Sequence, residues 1–299
     1  VPATADPPPA VDVTPPPRLG RPEPPLTVVD GHAAWSRRDL KELWAYRELL
    51  FFLTLRDVKL RYKQTILGVG WSVLQPVATM IVFTIFLGRM GGLSDGVPNY
   101  TLFVLAALIP WTFFSTAVAN AGNSLVGNER LVTKTYFPRV LLPAANVAAA
   151  AVDCLLCTSL MVVAVLAWAA VGGPAPTWRL LLLPVMGAAV GLTAFGFGTL
   201  FAALIAVQRD FRYLLSMGLQ LWLFATPCIY APVEKIGPTA QQWLPLNPVY
   251  GLVLNFRSAA LGLPFDGHAL FVSSAVGAFV LGAALIYFRR IQQTLADTI

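Results

Sequence analysis

Asp153 is the residue of this chain whose position most needs a chemical reason. It lies about thirteen residues into an apolar run, Val140 to Val171, where a carboxylate costs roughly 2.5–3.5 kcal/mol on insertion scales. Two roles would justify it: a proton or substrate site, or a structural carboxyl hydrogen-bonded to a neighbouring helix. No basic residue in another span completes a proton relay, which favours the structural role. Cys154 and Cys157 follow as C-x-x-C but have no ligating neighbours, so they read as small apolar helix residues. His32 and His268 are too few and too far apart for a metal site. The sequence has no G-x-x-x-x-G-K-[ST] and no Gly-Lys pair of any kind, hence no phosphate-cradling loop. It also lacks H-E-x-x-H, G-x-S-x-G and D-x-D motifs. The expectation is a chain that is no enzyme and binds no cofactor, with ATP and Mg, where needed, on a separate subunit.

Composition places these residues in a membrane. Of 299 residues, 57% are hydrophobic and 12% charged, about half the roughly 25% charged of a soluble domain. Six stretches are apolar and long enough to span: approximately Leu67 to Gly88, Tyr100 to Ala121, Val140 to Val171, Leu180 to Val207, Tyr213 to Tyr230 and Gly267 to Phe288. Pro76, Pro110 and Pro143 interrupt the first three, which neighbouring helices can tolerate. Gly187 and Gly191 form G-x-x-x-G in the fourth, with Gly196 and Gly198 following, a face suited to close packing.

Ahead of the spans, residues 1–30 are proline-rich and read as a disordered cytosolic tail without a signal peptide. Residues 31–65 read as an amphipathic interface helix. Leu40, Trp44, Phe51, Leu55, Val58 and Tyr62 form one apolar stripe, with Arg56, Lys59 and Lys63 beside it and Asp57 four residues before Arg61. Such a helix lies on the membrane facing anionic headgroups. Residues 66–299 form the transmembrane domain. If the tail is cytosolic, 17 of the 21 lysines and arginines fall on that side, leaving Arg89, Arg179, Lys235 and Arg257 outside. Both termini are therefore expected in the cytoplasm of a multi-pass inner-membrane protein. A short helix is expected within Asn123 to Lys134. The greasy, proline-broken segment Ala231 to Pro264 is expected to form extracellular re-entrant half-helices. The fold class is thus all-α and polytopic, with six transmembrane helices.

Three blocks carry a resemblance. "LRDVKLRYKQTILGVGWSVLQPVATMIVFTIFLG" (55–88) resembles the opening of polysaccharide and polyol-phosphate ABC exporter permeases, type-2 ABC permeases. There a basic interface helix enters the first span through an "RYKQ(T/S)-x-LG-x-x-W-x-x-x-QP" pattern. "NSLVGNERLVTKTYFPRVLLP" (123–143) looks like the family's coupling helix, and "LNPVYGLVLNFRSAALG" (246–262) is similar to the region before the last span.

The resemblance implies a permease homodimer bound to two copies of a separate ATP-binding subunit, exporting a lipid-linked polysaccharide such as O-antigen, galactan, capsule or teichoic acid. It puts Asn128, Glu129, Arg130 and Lys134 in the cleft of that subunit, with Arg209 and Asp210 as a second contact. Arg56, Lys59, Arg61 and Lys63 would frame the cytosolic mouth where substrate is admitted. Trp243, Asn247 and Pro248 fall in the outer gate. Phe83, Phe86, Trp111, Phe114, Trp222 and Tyr230 are candidates to line the sugar path, although aromatics in such helices also serve as lipid-facing or interfacial anchors. Nucleic acid is not an expected partner. The alternatives are a small-lipid or drug permease of the same fold and an ATP-independent secondary transporter. The latter would need polar midplane residues in two related halves. An intramembrane enzyme would need paired carboxylates, and Asp57, Asp153 and Asp210 are scattered.

Overall fold

The computed structural model describes residues 37–63, 65–92, 97–226 and 238–292. The proline-rich tail lies outside them, as do Tyr230 and part of the expected half-helix region. Every regular element among the described residues is helical. They run α1 (Arg37–Ala45), α2 (Arg47–Tyr62), α3 (Gly70–Phe83, continued by a π-helix Thr84–Met90), α4 (Tyr100–Gly122), α5 (Ser124–Gly127), α6 (Glu129–Lys134) and α7 (Leu141–Ala170). After a 3-10 turn (Trp178–Leu182) come α8 (Leu183–Val207), α9 (Phe211–Ala225), α10 (Pro238–Trp243), α11 (Tyr250–Leu261) and α12 (Gly267–Gln292).

Five stretches among the described residues are long and apolar enough to cross a bilayer: Gly70–Met90, Tyr100–Gly122, Leu141–Ala170, Trp178–Val207 and Gly267–Gln292. They match five of the six expected spans to within a few residues, and the chain is a multi-pass membrane protein. The remaining expected span, Tyr213 to Tyr230, is represented by α9 alone. At 15 residues it reaches about 22 Å, short of roughly 30 Å of hydrocarbon.

α4 is the central post. It packs against α3, α7, α8, α9 and α11, and α8 in turn packs against α12. Lipid tails are as apolar as leucine, so burial gives helices little reason to associate in a bilayer. Close van der Waals fit must do so instead. The residues at these contacts are accordingly small: Ala106, Ala107, Ala117 and Ala121 on α4, Ala149 and Ala150 on α7, and Ala194, Ala202 and Ala203 on α8 are all essentially inaccessible. The closest approaches use glycines other than the G-x-x-x-G pair, of which a Cβ on Gly191 would meet the Phe113 ring at 3.3 Å. A Cβ on Gly198 would sit 2.5 Å from the Ala121 Cβ, and one on Gly196 would sit 2.9 Å from the Leu281 Cα, whereas nothing approaches Gly187. Helix ends are finished by side chains. Asn99 Oδ1 accepts from Leu102 N (3.2 Å) to cap α4, and Asp266 Oδ1 accepts from Ala269 N (2.9 Å) to cap α12. At the far end of α12, Arg139 Nη1 donates to the Gln292 carbonyl (3.1 Å).

α3 stands apart. Only 6% of its spanning window is buried inside the chain, against 78% for α4. Trp71, Leu74, Ile81, Ile85 and Phe86 are exposed along it, so its outer surface is left for lipid or another chain. The expected interface helix is broken in two at Tyr46. Along its apolar stripe Trp44 and Phe51 are exposed while Leu55, Val58 and Tyr62 are half-buried, and α2 is held to the body by the buried Leu53 and by contact with α7.

Candidate functional site

At the end of the molecule rich in basic residues, α2 is fastened at two points. Arg56 donates to Asp57 Oδ1 through Nε (3.0 Å) and Nη2 (2.8 Å), and Nη2 also donates to Asn128 Oδ1 (2.9 Å). One turn on, Arg61 forms a salt bridge with Asp153, and the Tyr62 hydroxyl donates to the other carboxylate oxygen. Two sequence-level readings change here. Asp57 pairs with its neighbour Arg56, not with Arg61. Asp153 does have a basic partner, supplied by α2, 92 residues earlier in the chain, and not by another span. The carboxyl is hydrogen-bonded to a neighbouring helix, as the structural reading held. Burial, and then the hydrogen bond to Asp153, raise the Tyr62 phenol above its usual range, which keeps it a neutral donor. Lys59 and Lys63 are exposed. Of the four basic residues read as framing substrate access, Arg56 and Arg61 are paired within the chain and Lys59 and Lys63 are exposed.

The segment after α4 is two short helices, not one, with the break at Asn128 (φ −122°, ψ 31°). The Asn128 side chain spans the break, donating to the Ser124 carbonyl (2.8 Å) while accepting from Arg56. Leu125, Val132 and Phe137 anchor the segment in an apolar cluster with Leu53, Leu141 and Phe288. Glu129, Arg130 and Lys134 are left exposed. This is the arrangement a contact surface needs: apolar residues fix the helix from below and mixed charges face out. Arg209 and Asp210, in the turn between α8 and α9, are exposed as well.

The candidate sugar-path aromatics do not share one surface. Trp111, Phe114 and Trp222 pack together with Phe197, which the sequence reading missed. Ring centroids are 5.8 Å apart for Trp111–Phe114, 5.3 Å for Phe114–Trp222, 5.9 Å for Phe114–Phe197 and 5.1 Å for Phe197–Trp222. Phe114 is fully buried and Trp111 nearly so, so neither faces an open passage in this conformation. Phe83 packs against the cluster of Tyr100, Phe103, Val104 and Leu108, whereas Phe86 is exposed on α3. Phe197 sits between Gly196 and Gly198, whose missing side chains draw α8 close to its neighbours. Those flanking glycines are the signal that would have marked it.

The residues read as an outer gate connect to this cluster. Asn247 Oδ1 accepts from Trp222 Nε1 (3.0 Å) and Val249 N (3.1 Å), and Nδ2 donates to Thr226 Oγ1 (2.9 Å). Pro248 is buried beside it and Trp243 is exposed. α11 is 12 residues long, almost wholly buried, and ends at Gly262 in the left-handed region (φ +72°). Ser273 Oγ on α12 donates within reach of the Pro245 (2.9 Å) and Asn247 (2.8 Å) carbonyls and accepts from Gly251 N (3.0 Å). Asn255 donates to the Gly251 (2.8 Å) and Asp266 (3.0 Å) carbonyls and accepts from Asp266 N (3.0 Å). A short helix held among apolar neighbours needs its polar groups closed off in this way. Among the described residues, no cluster of His, Cys, Asp and Glu could hold a metal.

Comparison with known proteins agrees with this architecture. Residues 48–261 match the family model described as ABC-2 type transporter. The O-antigen export system permease protein RfbA of Myxococcus xanthus is 30% identical over 266 residues, covering 88% of this chain and 99% of that protein. A protein of the same name from Klebsiella pneumoniae is 28% identical over 253 residues, covering 84% of this chain and 94% of its own length. With the family match extending from the interface helix through α11, the chain belongs to the ABC-2 type transporter family.

Proposed function

We propose that this chain is the membrane-spanning subunit of an ABC exporter, carrying a lipid-linked cell-surface polysaccharide across the inner membrane. The observation that carries the reading is the near end-to-end similarity to O-antigen export permeases, 99% of the Myxococcus protein being covered. The working unit is a permease homodimer with two copies of a separate ATP-binding subunit. Both termini and the basic end are cytosolic. α9 begins a sixth span, and α10 and α11 form re-entrant half-helices on the outer side; α11, about 18 Å long, is too short to cross.

The geometry suggests how the stroke travels. Closure of the ATPase pushes on α5 and α6 through Asn128, Glu129, Arg130 and Lys134, with Arg209 and Asp210 as a second contact. Asn128 passes the movement to α2 through Arg56, and Arg61 and Tyr62 pass it to α7 through Asp153. No covalent bond is made or broken by this chain. It lowers the barrier to passage, and a long polymer is threaded in steps because no closed cavity could enclose it.

The test is co-expression with the ATP-binding subunit encoded nearest to this chain, followed by detergent purification and an ATP hydrolysis assay. A stable complex with two of each subunit is expected, with hydrolysis lost when residues 128–134 are scrambled. A well-folded chain that captures no ATPase and supports no hydrolysis would overturn the reading.

A further inference from the structure

α9 has one polar edge. Arg212, Ser216 and Gln220 recur at intervals of four residues, stack on one face, and are all exposed. Facing them, Ser115 and Thr116 on α4 and Asn123 just after its end line a cleft of about 370 Å³, within the range of about 300–1,000 Å³ usual for small-molecule sites. The cleft wall between these groups is Ala119, Leu215 and Leu219, so the polar groups stand in two rows on an apolar bed. Arg212 begins at the basic end of α9, and Gln220 lies about 12 Å further along the helix. Among the described residues Arg212 makes no ion pair.

Lipid is a poor occupant for such a surface. Amide and guanidinium groups on membrane helices belong in the protein interior or against a water-filled cavity. A glycan is a good one. Hydroxyl and carboxamide side chains both donate and accept, as sugar hydroxyls do. A guanidinium at one end matches a phosphate in its planar, two-pronged geometry. Of the aromatic residues first suspected of this role, Trp111 and Phe114 are packed into the core, whereas the cleft offers polar groups along two helices.

We propose that the cleft between α4 and α9 is a glycan subsite: Arg212 receives the phosphate linking polymer to lipid, and Asn123, Ser216, Gln220, Ser115 and Thr116 hydrogen-bond the first sugars. This rests on the reading of the chain as a polysaccharide exporter and adds the residues that hold the cargo.

The test uses the full exporter in inside-out membrane vesicles, with Cys154, Cys157 and Cys228 replaced by Ala. Gln220→Cys, or Ser216→Cys if the first variant fails to assemble, is treated with a membrane-impermeant maleimide. Vesicles come from cells making the polymer and from cells whose first glycosyl transfer is deleted. Labelling is expected to be about tenfold slower where polymer is present. In parallel, Gln220→Leu combined with Ser216→Ala is expected to cut surface polymer about tenfold while the ATP-binding subunit still co-purifies with the chain. Equal labelling in both vesicle types, or normal export by the double variant, overturns the proposal. So does absence of labelling in both with disulfide cross-linking between two copies, which would place a second copy in the cleft. In each case wild-type export still stands as evidence for the exporter reading. That reading fails separately if deleting the chain leaves surface polymer unchanged.

Discussion

Replacing Asp153 by leucine should loosen α2 from α7, and the size of the effect follows from the contacts. The carboxylate accepts from Arg61 and from Tyr62, and the paired Arg61 and Asp153 side chains are only 25% and 19% exposed. Hydrogen bonds to a charged group contribute about 1.5–3 kcal/mol, and breaking a fully buried pair costs about 3–5 kcal/mol. Partial exposure places Asp153→Leu near the lower figure, about 2–3 kcal/mol. For a chain of this size that lowers the unfolding midpoint by roughly 3–5 °C, measurable by tryptophan fluorescence on the detergent-solubilised protein. Asp153→Asn keeps an acceptor and a donor in place and should lose less. Arg61→Leu combined with Asp153→Leu removes both charges, so its cost should fall short of the sum of the single variants by about 1–3 kcal/mol. Additivity within about 0.5 kcal/mol would mean that the two groups do not depend on each other, and the fastening would have to lie elsewhere.

Two further predictions bear on the opposite end of the bundle. Asn247→Leu leaves Trp222 Nε1, Val249 N and Thr226 Oγ1 without their shared partner. It should cost about 1–3 kcal/mol and red-shift tryptophan emission, whereas unchanged emission would show that Trp222 does not depend on Asn247. Gly251→Val should be poorly expressed, because a Cβ there would sit 2.1 Å from the Ala269 carbonyl oxygen, and overpacking costs about 1–3 kcal/mol or more. Wild-type expression and midpoint for that variant would refute the close approach of α11 to α12.

The parts of the fold visible in the sequence were those set by local chemistry. Long apolar runs announce spans wherever they occur, so five long helices were readable, and the mixed-charge segment after α4 announced exposed charges. What escaped depended on tertiary partners. Asp153 looked solitary because Arg61 reaches it from another element 92 residues away, and no periodicity encodes that meeting. Asn128 was read as part of one short helix, yet the helix breaks there and its side chain bonds to Ser124 and Arg56. The G-x-x-x-G at Gly187 and Gly191 drew attention by spacing, while the tight packing fell to Gly196, Gly198 and Gly251, whose neighbours come from other helices. The aromatic residues were chemically suited to sugar stacking, but Phe114 and Trp111 were drawn into the core by Phe197 and Trp222. The polar row on α9 was readable at its spacing of four, and its significance emerged only with α4 beside it.

The sparse packing of α3 ties the molecule to the thickness of its bilayer. From Gly70 to Met90 the segment covers 21 residues, at most about 31 Å at the α-helical 1.5 Å per residue and less because Thr84–Met90 is π-helical, so it spans an average hydrocarbon core with nothing to spare. A helix wedged among neighbours keeps its angle when the lipids change; this one, held by so little of its own chain, must tilt in thin bilayers and draw the membrane inward in thick ones. Only residues 63–69 separate it from α2, so a change in its tilt must load the two ties that hold α2 to the body, Arg56 to Asn128 and Arg61 to Asp153.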